Sequence, residues 1–141
     1  MTLSISEAHL EQIHAHGEST YPEEGAGFLV GADGRVERIL PLPNAREDGS
    51  RHNRYTFAPR DYLEAEDAAD ALGLSLIGVF HSHPDHPNRP SEFDREWAQP
   101  HFAYIITSVQ GGKAIESRAW KLAEDRSQFF EEEIHIITGR E

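Results

Sequence analysis

Apolar residues change their spacing several times along this chain, and each change predicts an element. Residues 4–16 read as an amphipathic helix, with Ser4-x-x-Glu7 as a capping box and Gly17 as its stop. Residues 26–31 and 34–40 read as strands joined by a turn at Asp33-Gly34. A polar stretch with two prolines, Pro41 to Arg54, reads as a loop. Residues 60–72 predict a second helix, with Tyr62, Leu63, Ala65, Ala69 and Leu72 on its apolar face and Gly73 at its end. Residues 75–81 are almost wholly apolar, as in a central strand buried on both faces. A short helix is expected from about Ser91 to Ala98, stopped by Pro100. Strands follow at 102–109 and 114–122 around a Gln110–Lys113 turn, and 129–138 reads as an edge strand. Helices interspersed with strands predict an α/β domain with a mixed sheet.

Composition narrows the setting. The 141 residues suffice for one domain with a real core and are short for two, so 1–141 is read as a single domain. With 38% hydrophobic and 27% charged residues the chain reads as soluble and globular. No apolar run approaches the ~20 residues of a membrane helix. The start Met1-Thr2-Leu3-Ser4-Ile5 lacks the basic and apolar regions of a signal peptide, so a cytoplasmic location is expected. A net charge of −12 argues against nucleic acid and anionic membranes as partners. A protein or small molecule fits better.

The chain has no cysteine, so any metal must be held by His, Asp, Glu and water. That also excludes the His/Cys ligand set of zinc deaminases acting on nucleobases. The segment His81-Ser82-His83-Pro84-Asp85-His86-Pro87-Asn88-Arg89-Pro90-Ser91-Glu92-Phe93-Asp94 directly follows the apolar run Leu76–Phe80. Residues i and i+2 of an extended chain share a face, so His81 and His83 reach one ion while Ser82 points away. Asp94, on the first turn of the next helix, supplies a third ligand. Three protein ligands leave a fourth position for water, the pattern of catalytic zinc. Ser91 and Asp94 also read simply as an N-cap and its N3 partner, and a capped helix start is itself a rigid way to present a ligand. His86 lies in the same loop, but the set is complete without it. A general base is still required, and Glu23 and Glu24, ahead of the strand at 26–31, fit best; spacing does not choose between them.

At this point the chain resembles a known family. His81-Ser82-His83, seven residues, Ser91, two residues and Asp94 match the signature of the JAMM (MPN-plus) metalloproteases. Glu24, placed ahead of Gly31, resembles the glutamate that precedes the first strand in that family, so the resemblance selects it over Glu23. Tyr55-Thr56-Phe57 and the Gly78-Val79-Phe80 lead-in look like the compact prokaryotic branch. The resemblance implies an MPN fold related to cytidine deaminases. It implies one Zn2+ per chain on His81, His83 and Asp94, with Glu24 as general base and then acid, and Ser91 as oxyanion donor. It further implies a peptidase or isopeptidase acting after the C-terminal Gly-Gly of a ubiquitin-like sulfur carrier. Such an enzyme either trims a tail or releases cysteine or another amino acid from a carrier adduct. The competing expectation is a catalytically silent MPN module that scaffolds a complex.

Two further expectations concern surfaces. Arg46, Arg51, His52 and Arg54 gather in an otherwise acidic chain, and one arginine is expected to hold a substrate carboxylate. The edge strand at 129–138 offers a route to a homodimer.

Overall fold

The computed structural model describes residues 2–138. Its elements, in order, are β1 (Thr2–Ser6), α1 (Glu7–Thr20), β2 (Ala26–Ala32), β3 (Arg35–Leu42), α2 (Pro59–Ala71), β4 (Ser75–Pro84), α3 (Glu92–Trp97), β5 (Ala103–Gln110), β6 (Lys113–Leu122) and β7 (Phe129–Ile137). The strands close into a barrel in the order β1-β3-β2-β4-β5-β6-β7. Parallel pairs (β4 with β5, β1 with β7) and antiparallel pairs make the sheet mixed.

The N-terminus departs from the helix expected over residues 4–16. Leu3 and Ile5 alternate into the core at 2% and 0% exposure, a strand period rather than a helical one. Ser6, not Ser4, is the N-cap, its hydroxyl accepting from His9 N at 3.0 Å. Gly17 lies inside α1 and does not end it. A Cβ there would sit 3.1 Å from Val109 Cγ2 and 3.3 Å from Ser82 Cβ, so its absence brings α1 directly onto β4 and β5.

The C-terminus also differs. β7 pairs with β6 over Phe129–Glu132 and with β1 over Glu133–Ile137, so it closes the barrel and is not an edge. Each half of that strand already has a ladder partner, so the wholly open edge from which a homodimer was expected is not there. The hairpin β2–β3 turns at Asp33 and Gly34, both with positive φ (51° and 75°), as anticipated.

Both faces of the central strands are covered. Leu29, Phe80 and Ile105 pack with Ile13 of α1 on one side. Phe28, Val79 and Tyr104 pack with Ala65 of α2 and Ala98 on the other. β4 therefore behaves as the buried strand predicted, although its buried half is Gly78–Pro84 rather than its start. From Gly78 onward odd-numbered β4 residues face the α2 side and even-numbered ones face α1, whereas the register shift before Gly78 puts Leu76 on the α2 side and Ile77 on the α1 side. This parity sends His81 and His83 one way and Ser82 the other. No helix among the described residues is long and apolar enough to cross a membrane.

Candidate metal centre

His81 and His83 sit near the C-terminal end of β4, at 1% and 6% exposure. Their Nε2 atoms are 3.2 Å apart. Asp94 closes a triangle: Oδ1 is 3.4 Å from His81 Nε2, and Oδ2 is 3.1 Å from His83 Nε2. Ligands held ~2.0–2.1 Å from one tetrahedral ion lie about 3.3 Å from each other. The two histidine nitrogens thus already have that mutual spacing, and Asp94 meets each of them through a different carboxylate oxygen. Glu24, at 3% exposure, joins the histidines within 4.8 Å, and its Oε1 has no hydrogen-bond partner. A buried carboxylate oxygen with no protein partner is free to take a proton from a group brought against it.

Local structure explains each position. The imidazole Nδ1 of His83 donates to Pro87 O at 2.8 Å, which leaves Nε2 with its lone pair toward the centre. His81 has no such bond at Nδ1. Its ring is instead held by packing against Tyr55, with ring centroids 4.7 Å apart. The connecting loop is pinned repeatedly. Asp85 N donates to Val109 O at 2.7 Å, Ser108 donates to His86 O at 2.7 Å, and Trp120 Nε1 donates to Asn88 O at 3.0 Å.

Ser91 caps α3, and the capping box is complete. Asp94 N donates to Ser91 Oγ at 3.0 Å, and Ser91 N donates to Asp94 Oδ2 at 2.8 Å. The structural and ligand readings of this pair therefore coexist: Asp94 Oδ2 serves the cap and faces His83 together. Ser91 is exposed and keeps its own hydroxyl proton free for another acceptor.

Electrostatics follow from the burial. Desolvation, with the Asp94 charge adding to it, pushes the Glu24 carboxyl up to about 9. Burial also lowers the basicity of His81, opposed by Asp94. For Asp94 burial acts upward, yet the two imidazoles outweigh it and hold the carboxyl well below the usual range. A cation among these groups would reverse the Glu24 shift.

The structure thus brings Glu24, His81, His83 and Asp94 together and sets Ser91 on the same groove, which holds about 460 Å³. His86 also lines that groove but is not among the clustered ligand atoms. Several supporting residues escape sequence reasoning. The Ser82 hydroxyl holds Gly25 N at 2.8 Å. The Asn44 amide donates to Glu24 O and Arg54 O at 3.1 and 3.0 Å. Arg126 donates to the carbonyls of Arg95, Glu96 and Ala98 at the end of α3. Only Ser82 carried a signal, as the residue between two ligand-type histidines.

Residues 6–123 match the model of the prokaryotic homologues of the JAB domain. The chain belongs to this JAB-domain family. It is therefore a metalloprotease-type hydrolase of the JAMM class, with the MPN fold that the motif resemblance implied. This JAB domain is 35% identical over 115 residues to a probable TtuB-protein conjugate cleaving protease of Thermus thermophilus, covering 82% of this chain and 76% of that protein. It is 32% identical over 93 residues to a desampylase of Haloferax volcanii, covering 64% and 66% of the two chains. A solution structure of a protein from Desulfitobacterium hafniense superposes with a TM-score of 0.84 at 32% identity, covering 100% and 96%. A structure described as a JAMM metalloprotease-like zinc site in the proteasome and signalosome shares the fold at TM-score 0.61 and 19% identity, covering 97% and 99%.

Proposed function

We propose that this JAB domain is a zinc-dependent peptidase or isopeptidase that hydrolyses the bond after the C-terminal Gly-Gly of a ubiquitin-like sulfur carrier. The observation that carries the reading is the buried triangle of His81, His83 and Asp94 beside the unpartnered Glu24 carboxylate. The conjugate-cleaving names of the Thermus and Haloferax relatives support a ubiquitin-like substrate.

His81, His83 and Asp94 would hold one zinc ion. When bound, zinc supplies Lewis acidity toward the scissile carbonyl and lowers the pKa of water toward ~7. Glu24 accepts a proton at Oε1 as the water oxygen attacks the carbonyl carbon. It then delivers that proton to the amine nitrogen as the C–N bond breaks, so the carboxylate is regenerated. Ser91 Oγ donates to the carbonyl oxygen while negative charge builds there, a contribution of ~2.7–4 kcal/mol in favourable geometry. The capping box aims Ser91, because Oγ already accepts from Asp94 N and has its proton left to give.

Incubation with a carrier ending in Gly-Gly plus a short extension, followed by intact mass, tests the reading. Loss of the extension alone, with about one zinc per chain by elemental analysis, is expected. Glu24→Gln is expected to keep the zinc and lose turnover by at least ~100-fold. An unprocessed carrier, or an active Glu24→Gln protein, overturns it.

A further inference from the structure

Of the three arginines first noted in the 44–54 loop, two are engaged within it. Arg46 bonds Asp48 through Nε and Nη2 at 3.3 and 3.0 Å, Ser50 at 3.0 Å and Thr56 at 3.1 Å. Arg51 donates Nε to Arg46 O at 2.6 Å and lies 3.9 Å from Glu23. Arg54 is different. Among the described residues its guanidinium has no ion pair and no hydrogen bond, and it lies over the Phe93 ring, 4.8 Å from the centroid. Stacking on an aromatic face fixes the plane of a guanidinium and leaves its N–H edge open.

Arg89 makes the second half of the pattern. It is exposed and likewise carries no ion pair or hydrogen bond among the described residues. Arg54 and Arg89 both line the 460 Å³ groove that holds Glu24, His83 and Ser91. The acidic side chain in that lining besides Glu24 is Glu92, and it is bound by Arg95 through two bonds at 2.8 and 3.1 Å. In a chain of net charge −12, two uncompensated arginines on one groove are not a solvated average of the surface. They are the positive lining that an anion needs, and paired guanidinium forks match a carboxylate best. The groove lies within the ~300–1,000 Å³ range of small-ligand clefts, so an anion inside it belongs to a group within a residue or two of the reacting bond.

We propose that Arg54 and Arg89 bind the free α-carboxylate of the leaving group. This rests on the peptidase reading above and narrows it: the substrate class is a carrier whose Gly-Gly is followed by one amino acid or a very short tail. A lysine side chain within a folded protein, which brings no carboxylate to that place, is the disfavoured leaving group. The reaction is unchanged; the arginines select for it by charge.

The test compares two carriers ending in Gly-Gly-Ala, one with a free carboxylate and one amidated. The wild type is expected to cleave the free acid with a kcat/KM at least ~10-fold higher. Arg54→Ala and Arg89→Ala each lower that ratio, the double variant brings it near 1, and Arg54→Lys with Arg89→Lys restores part of it. Arg60→Ala, on α2 beside Glu64, keeps the wild-type ratio. A ratio near 1 in the wild type, or an unchanged ratio in the double variant, overturns the proposal. A second arm titrates zinc-loaded Glu24→Gln with acyl-capped Gly-Gly-Ala and its amide by calorimetry. Tighter binding of the acid, lost in the double variant, supports the arginine pair even when neither carrier is cleaved, which would overturn the peptidase reading alone. Discrimination that follows acidic residues on the carrier's surface, and not the terminal group, assigns the arginines to docking and overturns the proposal.

Discussion

The Ser82 hydroxyl accepts a hydrogen bond from the Gly25 amide at 2.8 Å, and Ser82 N donates back to Gly25 O at 2.9 Å. This two-bond clasp ties the residue after Glu24 to the residue between the two histidines. Gly17 makes room for it by letting α1 lie against Ser82. Ser82→Ala would leave a buried amide without its acceptor. A loss of about 1–3 kcal/mol in stability is expected by urea unfolding. Turnover should fall more than KM rises, since Glu24 shifts while the groove persists. Wild-type kcat in Ser82→Ala would show that the clasp does not position the base.

Glu24 makes the metal-free protein sensitive to pH in an unusual direction. Its carboxyl is pushed from an ordinary 4.5 to about 9 in the folded chain. Between those values the folded state holds a proton that the unfolded state has released. The folded state is therefore the more protonated, and stability falls as pH rises through this window. Glu24→Gln removes the effect. In chelator at pH 7 the variant should be more stable than the wild type by about 1–3 kcal/mol, with the gap closing near pH 5. Urea titrations at the two pH values check this; a gap independent of pH would assign the difference to packing.

Arg126 holds α3 from behind. Its guanidinium takes three carbonyls at the C-terminal end of the helix whose first turn presents Asp94. Arg126→Ala should loosen Asp94 without touching it. Zinc affinity is expected to drop by about 10-fold, read with a competing chelator, as for other partners one step removed from a ligand. The Asp94→Ala comparison should lose far more. Equal zinc affinity in Arg126→Ala and the wild type would mean that the capping box alone fixes Asp94.

Asn44 uses its whole amide. The nitrogen serves Glu24 O and Arg54 O, and the oxygen accepts from Arg46 N at 3.1 Å and Thr56 N at 3.3 Å. It joins the segment that carries Glu24 to the arginine loop. Asn44→Ala is expected to reduce kcat/KM by about 10-fold with zinc content unchanged, because no metal ligand depends on it. Asn44→Asp, which keeps the acceptor but loses the donor, should recover little. Full recovery in Asn44→Asp would show that the loop bonds, not the Glu24 bond, matter.

Legibility in the sequence tracked locality. The β2–β3 hairpin, α2 and the His81–Asp94 segment are encoded by neighbours, through turn residues, apolar spacing and i, i+2 parity. The N-terminus failed because five residues are too few to separate a strand from a helix start, and Ser4-x-x-Glu7 imitates a cap that Ser6 makes instead. That error carried to the other end. With β1 unseen, β7 had no parallel partner and read as an edge. The proximity of His81, His83 and Asp94 was legible as spacing, whereas Ser82, Asn44 and Arg126 act across the fold on backbone atoms, which leaves no pattern along the chain.

The Ser82–Gly25 clasp spans 57 positions of the chain and exists only when β2 lies beside β4. His81 and His83 come together on one strand, whereas Glu24 arrives from the segment ahead of another. On the proposed mechanism hydrolysis needs both strands in register, so a chain with an incomplete sheet would be unable to cut.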